Sequence, residues 1–163
     1  MSTNNLKPKS PSESEIVMTE LVLPNDANIL GNALGGRVMH WIDLAAATAA
    51  HKHCGAICVT AAIERLSFLN PIKVGQLAHL KGRVVCTGKT SLVTKVDVWC
   101  EDMDTGETYP TSEAYLTFVS LDRNGKPRKV PPLDIKTDEE KAERERARII
   151  RNKLLEIKGR VSK

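Results

Sequence analysis

Aromatic residues are scarce in this sequence of 163 residues, because Phe, Tyr and Trp together make up only 4% of it. A chain of this length suits one domain and can bury a sizeable core, which we expect to be built from Val, Ile, Leu and Ala. No apolar run approaches the ~20 residues of a membrane-spanning helix. The polar, Pro- and Ser-rich N-terminus shows no signal-peptide pattern. We therefore expect a soluble, cytoplasmic protein that does not bind membranes.

Cysteines are also few, and their spacing is not that of a cross-linked or metal-binding protein. The four residues Cys54, Cys58, Cys86 and Cys100 include no CxxC pair. Their density is too low for a disulfide framework, and no second pair of ligands accompanies His53 and Cys54. We expect free thiols and no metal site.

The net charge of +4 is concentrated at one end of the chain. Residues 141–163 hold nine Lys or Arg and three acids, whereas residues 1–140 hold fifteen Lys or Arg and seventeen acids. A basic tail of this kind can bind nucleic acid or another phosphate-bearing ligand. Because no recognition-helix pattern accompanies it, we expect no nucleic-acid partner and interpret the tail as a solvated, charged helix.

The periodicity of apolar residues predicts one long buried helix among several strands. On that helix, Val38, Ile42, Ala45 and Ala49 recur at the spacing of a single buried face. We expect residues 1–14 to be disordered and residues 136–159 to form a second helix that is capped by Thr137 and docks on a neighbour or partner. The first helix is assigned to 36–53 and the strands to 15–24, 57–71, 76–88, 90–102 and 108–122.

This order of elements predicts an α+β fold. Strands that follow one another through short turns are antiparallel. A long apolar helix and a single curved antiparallel sheet cover each other only if the sheet wraps around the helix. Since an open sheet has edges that pair readily, we expect a dimer with a continuous sheet.

One carboxylate stands alone on the predicted buried helix. The residues one turn away from Asp43 are Met39, His40, Ala46 and Ala47, so no ion pair within the helix explains its presence. Asp43 borders the buried stripe, where a partly desolvated carboxylate is a candidate base. The alternative, a surface acid at the rim of the helix, is equally compatible with the pattern.

Residues 31–36, GNALGG, lead directly into the helix. A glycine-rich entry leaves free backbone N–H groups at a helix N-terminus, and these can stabilise an anion or a developing oxyanion. The motif is neither a dinucleotide fingerprint nor a P-loop, and a flexible, closely packed loop is the alternative. Asp43 lies about 10 Å along the helix axis from Gly36, at 1.5 Å per residue. That separation predicts a site shared between two subunits.

Several segments taken together resemble the hotdog-fold acyl-CoA thioesterases of the cytosolic acyl-CoA hydrolase type. They are LVLPNDANILGNALGGRVMHWIDLAAATAAHKHCG, VTAAIERLSFLNPIKVGQ, TGKTS and AYLTFVSLDRNGKP. The resemblance covers about residues 16–135 in order. It implies a hotdog thioesterase domain over residues 15–135, followed by a basic helix and tail over 136–163.

The resemblance also implies an activity and a set of site residues. The activity is hydrolysis of acyl-CoA to a carboxylic acid and CoA, without a cofactor, by a homo-oligomer built from dimers, typically a hexamer. Asp43 would be the general base or nucleophile, Asn32 would position water or the thioester, and the Gly36 N–H would polarise the carbonyl. The implied substrate- and CoA-binding residues are Gly35, Thr60, Phe68, Lys89, Thr90 and Ser91.

Two other functions share this fold. A non-catalytic hotdog protein would bind acyl-CoA as a sensor. A hotdog dehydratase would need a histidine near the start of the helix, where His40 is the one candidate, and His40 lies on the polar side of the predicted helix.

Overall fold

The order of helices and strands agrees closely with the pattern of apolar residues. The computed structural model describes residues 6–161, and for residues 154, 155 and 157–161 it describes the backbone alone. The elements are α1 (Pro11–Ser14), β1 (Ile16–Leu21), a 3₁₀ turn (Pro24–Asp26), α2 (Gly35–Cys54), β2 (Cys58–Phe68), β3 (Leu77–Thr87), β4 (Ser91–Glu101), β5 (Thr108–Ser120) and α3 (Asp138–Val161).

The five strands form one antiparallel sheet in the order β1-β3-β4-β5-β2. The consecutive strands β3, β4 and β5 pair as the sequence predicts, but β2 pairs with β5 and not with its successor β3. The segment that joins β2 to β3 crosses the end of the sheet because it buries Ile72 and because Gly75 N–H donates to Val22 O at 2.9 Å. Strand β2 is therefore an edge strand.

Helix α2 lies on the concave face of this sheet, as predicted. Its expected inward residues Val38, Ile42, Ala45 and Ala49 are all buried. The helix approaches β3 so closely that a Cβ at Gly82 would lie 2.9 Å from the carbonyl oxygen of Ala45. Small residues on both elements thus allow the sheet to wrap tightly around the helix.

The C-terminal end of α2 is fixed by a glycine cap and a buried histidine. Gly55 has a φ of 59° and donates its N–H to His51 O at 2.8 Å, so the left-handed cap needs a glycine. His53 is fully buried and its Nε2 donates to Pro131 O at 2.9 Å. Burial lowers the pKa of His53, so the ring is held neutral.

The expectation of disorder over residues 1–14 is wrong for the part that the structure describes. Residues 11–14 form α1, whose Ser10 N–H donates to the Glu13 carboxylate at 2.6 Å. Ser14 is fully buried, and Lys9 Nζ donates to His53 O at 2.8 Å. The segment is ordered because it packs beside the end of α2. Residues 1–5 lie outside the described residues.

Helix α3 packs on the convex face of the sheet in its own chain, whereas we expected it to dock on a neighbour or partner. It contributes to a second small core made of Val85, Cys86, Val93, Tyr115 and Ala147. Its capping by Thr137 is confirmed, because Glu140 N–H donates to Thr137 Oγ1 at 3.1 Å. The side chains of the predicted stripe residues Leu154 and Ile157 lie outside the described residues.

Among residues 6–161, no helix combines the length and the apolarity that crossing a membrane requires.

Replacing Gly82 with alanine tests the tight wrapping of the sheet around α2. The added methyl would meet the Ala45 carbonyl, so we expect the free energy of unfolding to fall by about 1–3 kcal/mol, the usual effect of overpacking. Urea unfolding followed by circular dichroism measures this change. Gly36→Ala is the matched control, since a Cβ there meets nothing within 4 Å. Equal stability of the two variants would contradict the close approach.

The buried His53 predicts a loss of stability at acidic pH. Its pKa is lower in the folded chain than in the unfolded chain, so the unfolded state binds more protons as the pH falls below about 6.5. The stability that the neutral ring contributes is present above that pH and is lost as the pH falls further. His53→Gln keeps the Nε2–H donor without the titration. The difference between the melting temperatures at pH 8 and pH 5 should therefore be smaller in the variant than in the native chain.

Candidate active site

Asp43 is held by a hydroxyl from the neighbouring edge strand. It is half-buried on α2, and its Oδ1 accepts a hydrogen bond of 2.7 Å from Thr60 Oγ1 on β2. Within residues 6–161 no Lys or Arg pairs with this carboxylate. Thr60 was predicted to bind CoA, and the structure places it directly on the predicted base. A carboxylate fixed by one hydroxyl keeps a second oxygen free to accept a proton.

The loop that leads into α2 is tightly hydrogen-bonded and is not a flexible linker. Asn28 N–H donates to Asn32 O at 2.8 Å, and Leu34 N–H donates to Asp26 O at 2.8 Å. The β2–β3 connection supports the loop from outside, because Ala33 N–H donates to Ile72 O at 2.7 Å. The loop is therefore held by backbone hydrogen bonds of its own and by one to the β2–β3 connection.

Two asparagines of this loop line the same cleft but differ in what their side chains do. The Oδ1 of Asn28 accepts hydrogen bonds from the N–H groups of Leu30, at 2.9 Å, and of Asn32, at 3.2 Å. Its amide oxygen is thus occupied, and its NH₂ group remains as a donor of fixed position. The side chain of Asn32 hydrogen bonds to no other residue in the described range 6–161. The sequence prediction named Asn32, whereas the geometry favours Asn28 as the better-oriented donor.

The N-terminus of α2 opens into that cleft. The helix has no side-chain cap, and its first intrahelical bonds come from the N–H groups of Arg37 and Val38, which both donate to Leu34 O. Within the described part of the chain, the Gly35 and Gly36 N–H groups have no partner. The cleft has a volume of about 320 Å³. Phe68 forms its wall, with its ring 3.6 Å from a Cβ built at Gly35.

Within one chain, the free N–H groups of the helix N-terminus and the Asp43–Thr60 pair lie at different places. Gly35 meets Phe68 at the end of β2, whereas Asp43 meets Thr60 near its start. Gly36 and Asp43 are separated by about 10 Å of helix. A thioester oxygen bound at the helix N-terminus is thus out of reach of the carboxylate of the same chain.

The remaining predicted residues, Lys89, Thr90 and Ser91, form the turn between β3 and β4. Ser120 N–H donates to Thr90 O at 3.0 Å, and Val130 N–H donates to Lys89 O at 3.0 Å. Since Ser91 pairs with Val119 and Val59 pairs with the same residue, this turn lies at the Thr60 end of the sheet. The turn is therefore near the carboxylate and far from the cleft of its own chain.

Cys58, the cysteine nearest to Thr60 in the sequence, is held against ionisation. All four cysteines are free thiols, and Cys58 lies two residues before Thr60. The neighbouring Cys54 thiol and burial raise the pKa of Cys58 far above its ordinary value. Among residues 6–161, no group of three or more His, Cys, Asp or Glu is arranged to hold a metal ion.

A single antiparallel sheet wrapped around one helix, with a glycine-rich entry to that helix, defines a hotdog-fold protein. Residues 30–107 match the model of the Thioesterase superfamily. The uncharacterized acyl-CoA thioester hydrolase YkhA of Bacillus subtilis is 38% identical over 78% of this chain and 74% of its own length. The chain therefore belongs to the acyl-CoA thioester hydrolases of this superfamily.

Other relatives carry the same activity in their names. The cytosolic acyl coenzyme A thioester hydrolase of Mus musculus is 35% identical over 72% of this chain and 33% of its own length. A solved hexameric acyl-CoA thioesterase is 38% identical and superimposes with a TM-score of 0.87, over 91% of this chain and 95% of the other.

An acyl-CoA hydrolase from Staphylococcus aureus has been solved with butyryl coenzyme A, coenzyme A and coenzyme A disulfide. It is 35% identical, with a TM-score of 0.85 over 94% of this chain and 95% of that one. Structures also exist of its variants in which one aspartate, one asparagine or one threonine is replaced by alanine. Those three residues have the types and the spacing along the chain of Asp43, Asn28 and Thr60 here.

Asn28 is not among the residues that the sequence predicted for the site, and the contact between Thr60 and Asp43 was not predicted either. The resemblance named Asn32, the polar residue just before the xxGG pattern, and did not name Asn28. A signal was present: an asparagine two residues before Leu30 and four before Asn32 can fold its side chain back on a turn. The contact of Thr60 with Asp43 needed the path of β2, which periodicity alone does not supply.

Proposed function

We propose that this protein is a cytoplasmic enzyme that hydrolyses acyl-CoA thioesters to a carboxylic acid and CoA. The observation that carries the proposal is the Asp43–Thr60 pair, a half-buried carboxylate held at 2.7 Å by one hydroxyl and free of any cationic partner among the described residues. The cytosolic mouse relative supports the location.

Asp43 acts on water or on the thioester itself. As a general base it takes a proton from water as the water oxygen attacks the carbonyl carbon, and the proton then passes to the departing CoA sulfur. As a nucleophile it attacks the same carbon and expels CoA as the thiolate, and water then hydrolyses the mixed anhydride to release the carboxylic acid and restore the Asp43 carboxylate. In both routes Thr60 holds one carboxylate oxygen and directs the other at the reacting centre.

The helix N-terminus stabilises the negative charge that develops on the carbonyl oxygen. The free N–H groups of Gly35 and Gly36 point out of the first turn of α2, where the helix dipole also favours negative charge. The amide NH₂ of Asn28 is the third donor, with Asn32 as the alternative that the sequence predicts. Each donor is fixed by the loop, so little reorganisation is needed in the transition state.

The two halves of the site come from two subunits. Because Thr60 and Phe68 lie at opposite ends of β2, an antiparallel pairing of two β2 edges centred near Glu64 brings Thr60 of one subunit opposite Phe68 of the partner subunit. This pairing places Asp43 beside the glycine-rich entry of the other chain. A dimer then has two equivalent shared sites.

Exposed apolar side chains along β2 and the entry loop support this interface. Ile29 is completely exposed and Leu30 is 77% exposed in the isolated chain, and Phe68 is 54% exposed. Burying such a surface is the usual driving force for a stable dimer. Three dimers assemble into a hexamer in our proposal, as in the hexameric relatives.

The turn of Lys89, Thr90 and Ser91 receives the CoA part of the substrate, and the cleft beside Phe68 receives part of the acyl chain. The reaction consumes only water, and the proposal includes no cofactor. A thioester is a more reactive acyl donor than an ester or amide, so one base, oxyanion donors and positioning suffice.

Three alanine variants test the assignment of roles. We expect Asp43→Ala to lower the rate of free-thiol release from acyl-CoA by at least ~100-fold, because it removes the base. Asn28→Ala should lower the rate by ~100-fold if its amide is an oxyanion donor. Asn32→Ala is the matched comparison in the same loop and distinguishes the two asparagines. Unchanged hydrolysis in Asp43→Ala would refute the mechanism.

Mixing two inactive variants tests whether the site is shared. Asp43→Ala and Asn28→Ala subunits should exchange after mild unfolding and refolding together. In a mixed dimer one site lacks both groups and the other lacks neither, so part of the activity should return. Refolding each variant alone is the control. A mixture no more active than the separate variants would show that both groups serve one chain.

A further inference from the structure

Helix α3 brings one arginine to the turn between β3 and β4. Arg151 Nη2 donates to Ser91 Oγ at 2.6 Å. Its other terminal nitrogen, Nη1, lies 3.3 Å from a Cβ built at Gly88. The guanidinium therefore lies directly over the Gly88–Ser91 turn, and it can do so because position 88 has no side chain.

In the part of the chain that the structure describes, no carboxylate neutralises this guanidinium. Among residues 6–161, Arg151 has no ion pair, whereas Arg146 and Arg148 on the same helix pair with Glu143 and Glu145. Within the described residues, its side chain donates to one neutral hydroxyl, that of Ser91. A half-buried cation held in this way keeps donors available for an anion.

The surroundings of the turn add positive charge. Lys89 belongs to the turn itself, and Arg128 and Lys129 run beside it, because Val130 N–H donates to Lys89 O and Arg128 N–H donates to Ser120 O. All three side chains are exposed. Four cationic residues from three separate segments thus surround one turn.

The turn lies within reach of a ligand bound at Asp43. Leu92, Phe118 and Thr60 form one row across β4, β5 and β2. Ser91 directly precedes Leu92 on β4. Because β4 is two strands away from β2, Ser91 lies roughly 10 Å from Thr60 at the usual strand spacing. A ligand with its reacting end at Asp43 can extend over the end of the sheet to Arg151.

We propose that Arg151 binds a phosphate of the CoA nucleotide and that α3 thereby forms part of the substrate site. This inference rests on the proposed function and adds to it a residue from outside the hotdog domain. Arg151 is a binding residue that acts through charge and leaves the thioester chemistry to Asp43.

Two substrates that share the same thioester separate this role from a structural one. Arg151→Ala should raise KM for an acyl-CoA about tenfold, the usual effect of losing a charge-assisted hydrogen bond, with kcat within twofold. The matching S-acyl pantetheine has no nucleotide, so its kcat/KM should not change. Arg151→Lys should restore part of the affinity because it keeps the charge.

Arg148→Ala is the matched control, since it removes a neighbouring arginine of the same helix that is exposed and already paired. We expect it to leave KM for both substrates within twofold. Melting temperatures of all variants report whether α3 remains folded. A rise of KM for both substrates, or for neither, in a folded Arg151→Ala variant would overturn the proposal.

Calorimetric titration with CoA itself keeps the test independent of hydrolysis. Native protein should bind CoA about tenfold more tightly than Arg151→Ala, whether or not either form cleaves a thioester. Equal affinity would overturn the role of Arg151. If the native protein hydrolyses no acyl-CoA but still binds CoA more tightly than Arg151→Ala does, the proposed function is overturned and the role of Arg151 is not.

Discussion

The close contact between α2 and the sheet is the constraint on which the rest of the structure depends. Ala45, Ala46, Ala49 and Ala50 of the helix are fully buried, and the backbone of Ala45 lies against Gly82 of β3. Because aromatics make up only 4% of the chain, burial must come from many small and branched side chains at short distance. A side chain at Gly82 would push the helix away from the sheet, because its Cβ would lie 2.9 Å from the Ala45 carbonyl oxygen.

This contact also decides where chemistry is possible. Once one face of α2 is committed to the sheet, polar groups beside the core can stand only at the border of that face and at the two ends of the helix, while residues such as His40 and Thr48 face outward. Asp43 occupies the border, and Gly35 and Gly36 occupy the N-terminal end. A straight helix keeps these groups about 10 Å apart, so the separation is built into the fold. In the function that we propose, a second copy of the chain brings its carboxylate to the free N–H groups.

The sequence predicted the elements well because each carries a strong local pattern. The buried stripe of α2 and the alternation in β3 and β4 need no tertiary information, and Gly55 marks the end of the helix through its backbone freedom. The pairing of β2 with β5 was harder to predict. It goes with a β2–β3 connection that crosses the end of the sheet and buries its own Ile72, and such a contact is a long-range effect. The same reason explains why the contact between Thr60 and Asp43 was not foreseen.

The N-terminal segment and α3 show where composition misleads. Residues 10–14 look like a disordered polar stretch, yet Ser10 and Glu13 cap a turn that buries Ser14. The composition of α3 is that of a solvated charged helix, yet one patch of the helix packs against the sheet. Polar residues are compatible with burial when their partners are supplied by other elements, and a single-sequence pattern does not show those partners.

The position of α3 is set by a charged cluster on the convex face of the sheet. Lys95 Nζ lies 3.2 Å from Glu143 and 3.3 Å from Asp97. Burial acts against the charged form of Lys95, but the two carboxylates outweigh it and raise its pKa. Glu143 also accepts a hydrogen bond from Tyr115. Arg151 follows Glu143 by about two helical turns, roughly 12 Å, so the anchor at Lys95 determines that the guanidinium arrives at Ser91.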